Sequence, residues 1–359
     1  MHSGLTRGDR IPDFRRPNQV GEPRMLYDLQ VGQPVVLLVF ENPNSADTRA
    51  ALAVLGGNDP NWAQITRVAL VRGTLVQCSH FVNGTASGLT VLADDGAVAT
   101  HLLGSEPSGQ RLITAFALDS NLRVIERIEY AAGGNLDEFL RRVTAVYSHD
   151  APCTPQILHQ QAPVLFVPRV LNAGFCNELM AYFEEDGGQP SGTAYIDRNN
   201  ALWRPDPSVK MRRDVYMKEG VQLERLKEML TQRVLPEIKR CFHYQVTQHE
   251  VFKLVCYDAQ TGGYFRLHRD NESRDTQHRR FAMTLNLNTG DYTGGQLRFP
   301  EFSLNLYQPE RGDAIIFSSS LLHEVTPVTA GRRYVLLGFF FGDAESIVPM
   351  QHQNATAQR

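Results

Sequence analysis

The chain has 359 residues, 42% of them apolar and 21% charged, a balance that excludes the disordered and fibrous classes and a length that exceeds one ordinary core. Lys and Arg number 36 against 39 Asp and Glu, a formal charge of -3 that argues against a nucleic-acid binder or a polybasic membrane binder. No run approaches the roughly 20 apolar residues of a membrane span, the start carries no apolar leader, and five cysteines without CxxC spacing disfavour a disulfide scaffold or a structural zinc site. A cytoplasmic globular protein of two domains is expected, with its oligomeric state left open.

From the amino terminus, Val35 to Phe40 reads as a buried strand and Thr48 to Leu55 as a helix closed by Gly56-Gly57. Strands follow at Arg67–Val71, Leu89–Leu92 and Ile113–Leu118, and Leu136 to Tyr147 reads as a helix. Strands alternating with helices imply an α/β domain over residues 1–148. Residues 149–162, rich in Pro, Gln and His, read as a linker. Beyond it, Asn172 caps a helix to about Glu185, and Gln222 to Phe242 reads as one long amphipathic helix. From Val251 onward the pattern is strands and turns, at Phe252–Tyr257, Arg280–Leu287, Gly295–Phe299, Asp313–Phe317 and Tyr334–Phe341. Helices followed by strands predict a β-sandwich or jelly roll with helical buttressing over residues 163–347, and a flexible tail over 348–359.

The stretches GDRIPDF, LYDL and PVVLLVF, with GLTVLADDGAVATHLLG and TAFALDSNLRV further on, resemble peroxiredoxins of the thioredoxin fold over residues 4–145. That family carries a peroxidatic Cys at a helix N-terminus, where the dipole and a nearby Arg favour thiolate. Here the segment reads Glu41-Asn42-Pro43-Asn44-Ser45-Ala46-Asp47-Thr48-Arg49, without a cysteine. The domain's one Cys, Cys78, lies thirty residues on and reads as a small core hydrophobe. The resemblance therefore implies a redoxin fold without peroxidase chemistry.

In the carboxyl-terminal half His268-Arg269-Asp270 forms the chain's one His-x-Asp. On a strand an imidazole and a carboxylate two apart share a face and can bind one metal. His323 follows 55 residues later between two apolar strands, and two histidines with one carboxylate leave three open positions on an octahedral iron. Arg333, ten residues beyond, can pair with a distal carboxylate of a co-substrate. Strand parity does not choose between Arg332 and Arg333, and Tyr257 reads equally well as a core tyrosine. His243, His249 and His278 read as satisfied or solvated, and Lys210, Arg212 and Arg213 as a solvated face or, more sharply, an edge of a substrate channel.

The stretches YDAQTGGYFRLHRDN, RRFAMTLNLNTGDYTGGQLRFPE and HEVTPVTAGRRYV resemble the Fe(II)- and 2-oxoglutarate-dependent dioxygenases, within them the prolyl 4-hydroxylase-like group. The resemblance covers Pro163 to Asp343 and implies a double-stranded β-helix. It implies iron held by His268, Asp270 and His323, and 2-oxoglutarate bound through Arg333, chosen by the family's spacing, with help from Tyr257. It further implies O2 as oxidant, L-ascorbate as accessory reductant, and release of succinate and CO2. A carboxylate at Asp270 favours hydroxylation over halogenation. A second family tyrosine that touches the co-substrate aligns with Leu285, so that contact is missing or made by another residue. The implied substrate is a peptidyl or protein side chain, prolyl by resemblance, with a small molecule as the alternative. The opposing reading is a non-catalytic binding protein, or an oxygen or 2-oxoglutarate sensor, with a degenerate redoxin module.

Overall fold

The computed structural model describes residues 4–29, 32–57, 60–79, 88–104, 111–147, 157–197 and 200–345. The chain divides into two compact units, Met1–Gln156 and Ile157–Arg359. Most of the expected linker and the whole expected tail, residues 148–156 and 346–359, lie outside the described residues. Among the described residues no helix is long and apolar enough to cross a membrane.

The amino-terminal unit is built on five strands, β1 (Val35–Phe40), β2 (Thr66–Arg72), β3 (Leu89–Asp94), β4 (Arg111–Leu118) and β5 (Val124–Ala131). Their order is β3-β2-β1-β4-β5, with β1, β2 and β3 parallel and β4 and β5 antiparallel. All six residues of β1 are buried because both faces are covered, which is why this strand reads as an unbroken apolar run. Val36, Leu38 and Phe40 pack under α1 (Ala46–Gly56) and α3 (Leu136–Ala145). Val35, Leu37 and Val39 face α2 (Ala97–Leu103) and the start of the chain at Ile11 and Phe14. Sequence reading missed β5, whose alternating burial marks a half-exposed edge strand, and α2, a helix of only 7 residues.

The carboxyl-terminal unit begins with β6 (Leu165–Val167), α4 (Ala173–Asp186), β7 (Gln189–Pro190), β8 (Lys210–Met211) and β9 (Arg213–Tyr216). The helices α5 (Val221–Arg233) and α6 (Leu235–Phe242) follow. Sequence reading expected one helix there. Pro236 lacks a backbone donor and collides with the preceding turn, so the helix breaks at Val234, where Pro236 starts the next one. The strands that build the two main sheets continue with β10 (Lys253–Asp258), β11 (Tyr264–His268), β12 (Phe281–Asn286), β13 (Leu297–Arg298), β14 (Leu306–Tyr307), β15 (Ala314–Ser318), β16 (His323–Val325) and β17 (Arg332–Phe341).

These strands form two antiparallel sheets, ordered β6-β15-β12-β17-β10-β9-β7 and β8-β11-β16-β13-β14, in a jelly-roll arrangement. Alternation along β10 and β17 separates two cores. Leu254, Cys256, Tyr334, Leu336 and Phe340 join Phe175, Leu179, Leu226 and Ile238 of the helices. Val255, Tyr257, Val335 and Phe339 turn the other way, toward Leu297, Phe299 and Val325 of the smaller sheet. The space between the sheets holds the chemistry-bearing side chains.

Candidate metal centre

His268 ends β11 and His323 opens β16, and the antiparallel register sets the two directly opposite each other with ring centroids 4.2 Å apart. Asp270 lies beyond the end of its strand, so alternation does not aim it as sequence reading supposed. Its N–H donates to the Ser319 carbonyl at 2.9 Å, and Arg279 Nη1 donates to the Asp270 carbonyl at 3.1 Å. These two bonds turn the carboxylate back toward the histidines.

One ligand atom from each of His268, Asp270 and His323 lies within 4.8 Å of the others. His268 Nε2 is 3.5 Å from Asp270 Oδ1, and His323 Nε2 is 3.4 Å from Oδ2. Three cis ligands on one octahedral ion, each at ~2.1 Å, stand about 3 Å apart. Each Nδ1 faces a carbonyl, His268 that of Arg266 at 2.7 Å and His323 that of Leu321 at 2.9 Å. A carbonyl only accepts, so the proton sits on Nδ1 and the Nε2 lone pair is directed to the centre. Burial holds His323 below the usual histidine range, in the neutral form a metal requires. Burial alone would raise the Asp270 carboxyl, but His323 and His268 outweigh it and keep the group ionised. The donor set and its spacing fit a divalent iron.

Arg333 is 1% exposed and faces between the sheets, with Nη2 donating to Asn286 Oδ1 at 3.1 Å and Nε without a partner. Its guanidinium carbon lies 5.3 Å from the ring of Tyr257, its partner across β10 and β17. Gly295, at φ +69°, explains the Gly-Gly turn, since a Cβ there would stand 2.7 Å from Arg333 Cδ. A buried cation with a free N–H suits a carboxylate, which is the fit 2-oxoglutarate requires. Arg332 points outward, pairing with Asp258 at 3.0 Å. Leu285, which aligns with the family's second tyrosine, packs under the helices with Leu254 and Leu336, so it makes no such contact. Its strand neighbours Thr284 and Asn286 are the polar residues turned the other way, Thr284 to the cavity and Asn286 to Arg333.

A cavity of about 270 Å³ opens on the triad, lined by Tyr257 and by five basic side chains, Lys210, Arg212, Lys253, Arg269 and Arg279. Lys210 and Arg212 belong to the cluster near the second helix, and the structure sets them at the cavity rather than on a solvated face. Arg212 donates to the Tyr257 hydroxyl at 3.1 Å. Of the other histidines, His278 lies 3.0 Å from Glu250 and His249 bonds the Glu250 carbonyl, both away from the triad.

Residues 252–341 match the family model of the 2OG-Fe(II) oxygenase superfamily. The chain carries a 2OG-Fe(II) oxygenase domain. A procollagen-lysine,2-oxoglutarate 5-dioxygenase of Drosophila melanogaster is 24% identical over 251 residues, covering 62% of this chain and 32% of that protein. A PKHD-type hydroxylase of Phenylobacterium zucineum is 29% identical over 184 residues, covering 47% of this chain and 74% of its own. The chain spans about a quarter to a third of the length of the procollagen-lysine relatives it matches. For the other half, a peroxidoxin structure from Mycobacterium tuberculosis is similar at 21% identity and TM-score 0.35, covering 41% of this chain and 99% of that one. The matched oxygenase segment contains Tyr257, Lys253, the triad and Arg333, whereas Lys210 and Arg212 precede it.

Proposed function

We propose that the carboxyl-terminal unit is an Fe(II)- and 2-oxoglutarate-dependent dioxygenase that hydroxylates a side chain of a peptide or protein, a prolyl residue being the first candidate. The observation that carries this reading is the triad, with two Nε2 lone pairs and one ionised carboxylate converging from two chain segments, 268–270 and 323. When bound, iron with 2-oxoglutarate and O2 supplies the oxidising power, one oxygen entering a substrate C–H bond as 2-oxoglutarate becomes succinate and CO2. Within the chain, His268, Asp270 and His323 hold the ion on one face. Arg333 receives the distal carboxylate of 2-oxoglutarate, and Asn286 fixes the guanidinium plane at 3.1 Å. Tyr257 packs against that guanidinium and fills the space beside it. L-ascorbate as reductant is part of the same proposal.

The amino-terminal unit, residues 1–148, we read as a redoxin-like module without peroxidase chemistry. Three parallel and two antiparallel strands with helices on both faces support that reading. Ser45 stands where a nucleophile would begin the helix, and its hydroxyl instead accepts the Thr48 N–H at 2.9 Å as an N-cap. The test of the oxygenase reading is anaerobic titration with Fe(II), followed by succinate release on admitting O2 and 2-oxoglutarate. One iron per chain and succinate formation are expected. A chain that binds iron at less than a tenth of an equivalent and releases no succinate overturns the proposal.

A further inference from the structure

The five basic side chains around the cavity divide into two kinds. Each arginine is neutralised by a carboxylate: Arg212 by Asp214 at 3.0 Å, Arg269 by Glu301 at 2.6 Å and Arg279 by Glu250 at 2.5 Å. Neither lysine is. Among the described residues, neither the Lys210 nor the Lys253 ammonium forms a hydrogen bond or an ion pair. Lys253 lies on the inward face of β10 with Val255 and Tyr257, and Lys210 on β8, paired in register with Phe265. Aromatic rings surround them: Lys210 sits 5.2 Å from the Phe265 ring, and Lys253 sits 5.2 Å from Tyr216 and 5.8 Å from Phe339. Rings ease the loss of water but offer no hydrogen-bond acceptor of the strength of an anion. Asp214 attracts both ammoniums and is already held by Arg212.

Two unpaired ammoniums in a small cavity are costly to the free protein and become favourable once an anion enters. The distal carboxylate of 2-oxoglutarate is assigned to Arg333, which does not line this cavity wall. We infer that Lys210 and Lys253 form an anion subsite for the substrate, which is therefore an acidic peptide whose target residue, or the residue beside it, carries a carboxylate. This inference rests on the oxygenase reading above and names the substrate class of the same site. The strain agrees with it: burial, with the neighbouring Arg212, pushes the Lys210 ammonium down to about 7, and burial lowers Lys253 as well. An ammonium that readily gives up its proton when alone is one that lacks its counter-ion.

The test uses the full chain loaded with Fe(II) and 2-oxoglutarate without oxygen, titrated calorimetrically with two neutral-ended probes, N-acetyl-glutamate amide and N-acetyl-glutamine amide. The acidic probe should bind at least about tenfold more tightly than its amide twin, the size expected of one charge-assisted contact. Lys210→Met and Lys253→Met should each bring the two probes to within about twofold, while the apparent KM for 2-oxoglutarate in the uncoupled reaction stays within about twofold of wild type. Equal binding of the probes, or no binding by either, overturns the inference. So does a variant whose 2-oxoglutarate KM rises about tenfold, since the lysines would then serve the co-substrate. Succinate release without acid preference sinks the subsite alone, whereas acid preference without succinate release sinks the oxygenase reading alone.

Discussion

Buried charge is handled differently in the two units. In the amino-terminal unit the inward cations each have a local partner, Arg111 in Glu41 at 2.6 Å, Arg16 in Asp94 at 2.8 Å, and Arg67 and Arg123 in backbone carbonyls, and the N–H groups left over, Arg67 Nε and Arg111 Nη2, stand apart from one another. The segment Glu41 to Arg49, where the redoxin resemblance would place a nucleophile, spends its polar groups on capping. Thr48 Oγ1 donates to the Asn42 carbonyl at 2.7 Å. In the carboxyl-terminal unit the inward groups include two Nε2 lone pairs, a free Arg333 N–H and two unpaired ammoniums, gathered between two sheets. One unit uses polarity to hold its fold. The other gathers its unsatisfied groups between two sheets, where ligands can complete them.

The contrast breaks most completely at the triad. Asp270→Ala removes one of the three ligands proposed for the iron and, with it, the carboxylate that stands between the two imidazoles. Iron retained after gel filtration should fall to background and succinate release by about 100-fold or more, beyond the range typical of outer-shell changes. Wild-type iron content in Asp270→Ala would mean that the metal is held elsewhere.

A smaller effect should separate the adjacent arginines. Arg333 is buried and Arg332 is paired at the surface. Losing one partner of a buried charge pair costs about 2–5 kcal/mol, so Arg333→Ala should raise the apparent KM for 2-oxoglutarate roughly 30-fold or more, with iron binding intact. Arg332→Ala should lie within about 0.5 kcal/mol in stability and leave that KM unchanged. A 2-oxoglutarate titration of both variants decides it.

Much of this was legible in the sequence because period and spacing carried it. The apolar run at Val35–Phe40 announced a buried strand, and the spacing from His323 shared with the resembled family selected Arg333, which the structure turns inward on β17. Other features were not legible. Asp270 owes its direction to bonds from Ser319 and Arg279, which no local pattern encodes. Lys210 and Arg212 stand 58 and 56 positions before His268, and only the pairing of β8 with β11 brings them to the cavity. The residue that stands in for the family's second tyrosine was not legible either, because an alignment without a register cannot tell which of Thr284, Leu285 and Asn286 turns inward. Pro236 could have been read as a break in the long helix, since the signal was present in the sequence.

Acid should wear down the carboxyl-terminal unit from a defined point. Burial alone would raise the Glu250 carboxyl, but hydrogen bonds from His278 and Arg279 outweigh it and hold the group at about 2. A carboxyl depressed on folding gives stability that is full above its unfolded value and is lost as pH falls toward the folded one. Between pH about 4.5 and about 2 the unit should therefore lose stability, on the order of 1 kcal/mol by pH 3.5. Glu250→Gln should flatten that part of the profile, since the amide has no proton to take up. An unchanged slope in Glu250→Gln, followed by near-ultraviolet circular dichroism of the full chain, would assign the acid sensitivity to another carboxylate.

The smallest effect is expected where the first unit keeps its thiol. Cys78 is fully buried against Val71 and the core of α1 and α3, and burial pushes its thiol up to about 11. At neutral pH such a group is almost wholly protonated, and the thiolate is the species that attacks peroxide. Among the described residues no cation offsets that burial, and the Sγ neighbour is the Val71 carbonyl at 4.0 Å, which disfavours negative charge. Purified protein supplied with hydrogen peroxide and dithiothreitol should therefore consume peroxide no faster than the thiol alone. Cys78→Ala should cost about 1 kcal/mol through the small void it leaves, and should alter neither iron binding nor succinate release. Peroxide turnover that disappears in Cys78→Ala would reverse the contrast between the units, placing a second reactive group in the one whose inward cations are held by local partners.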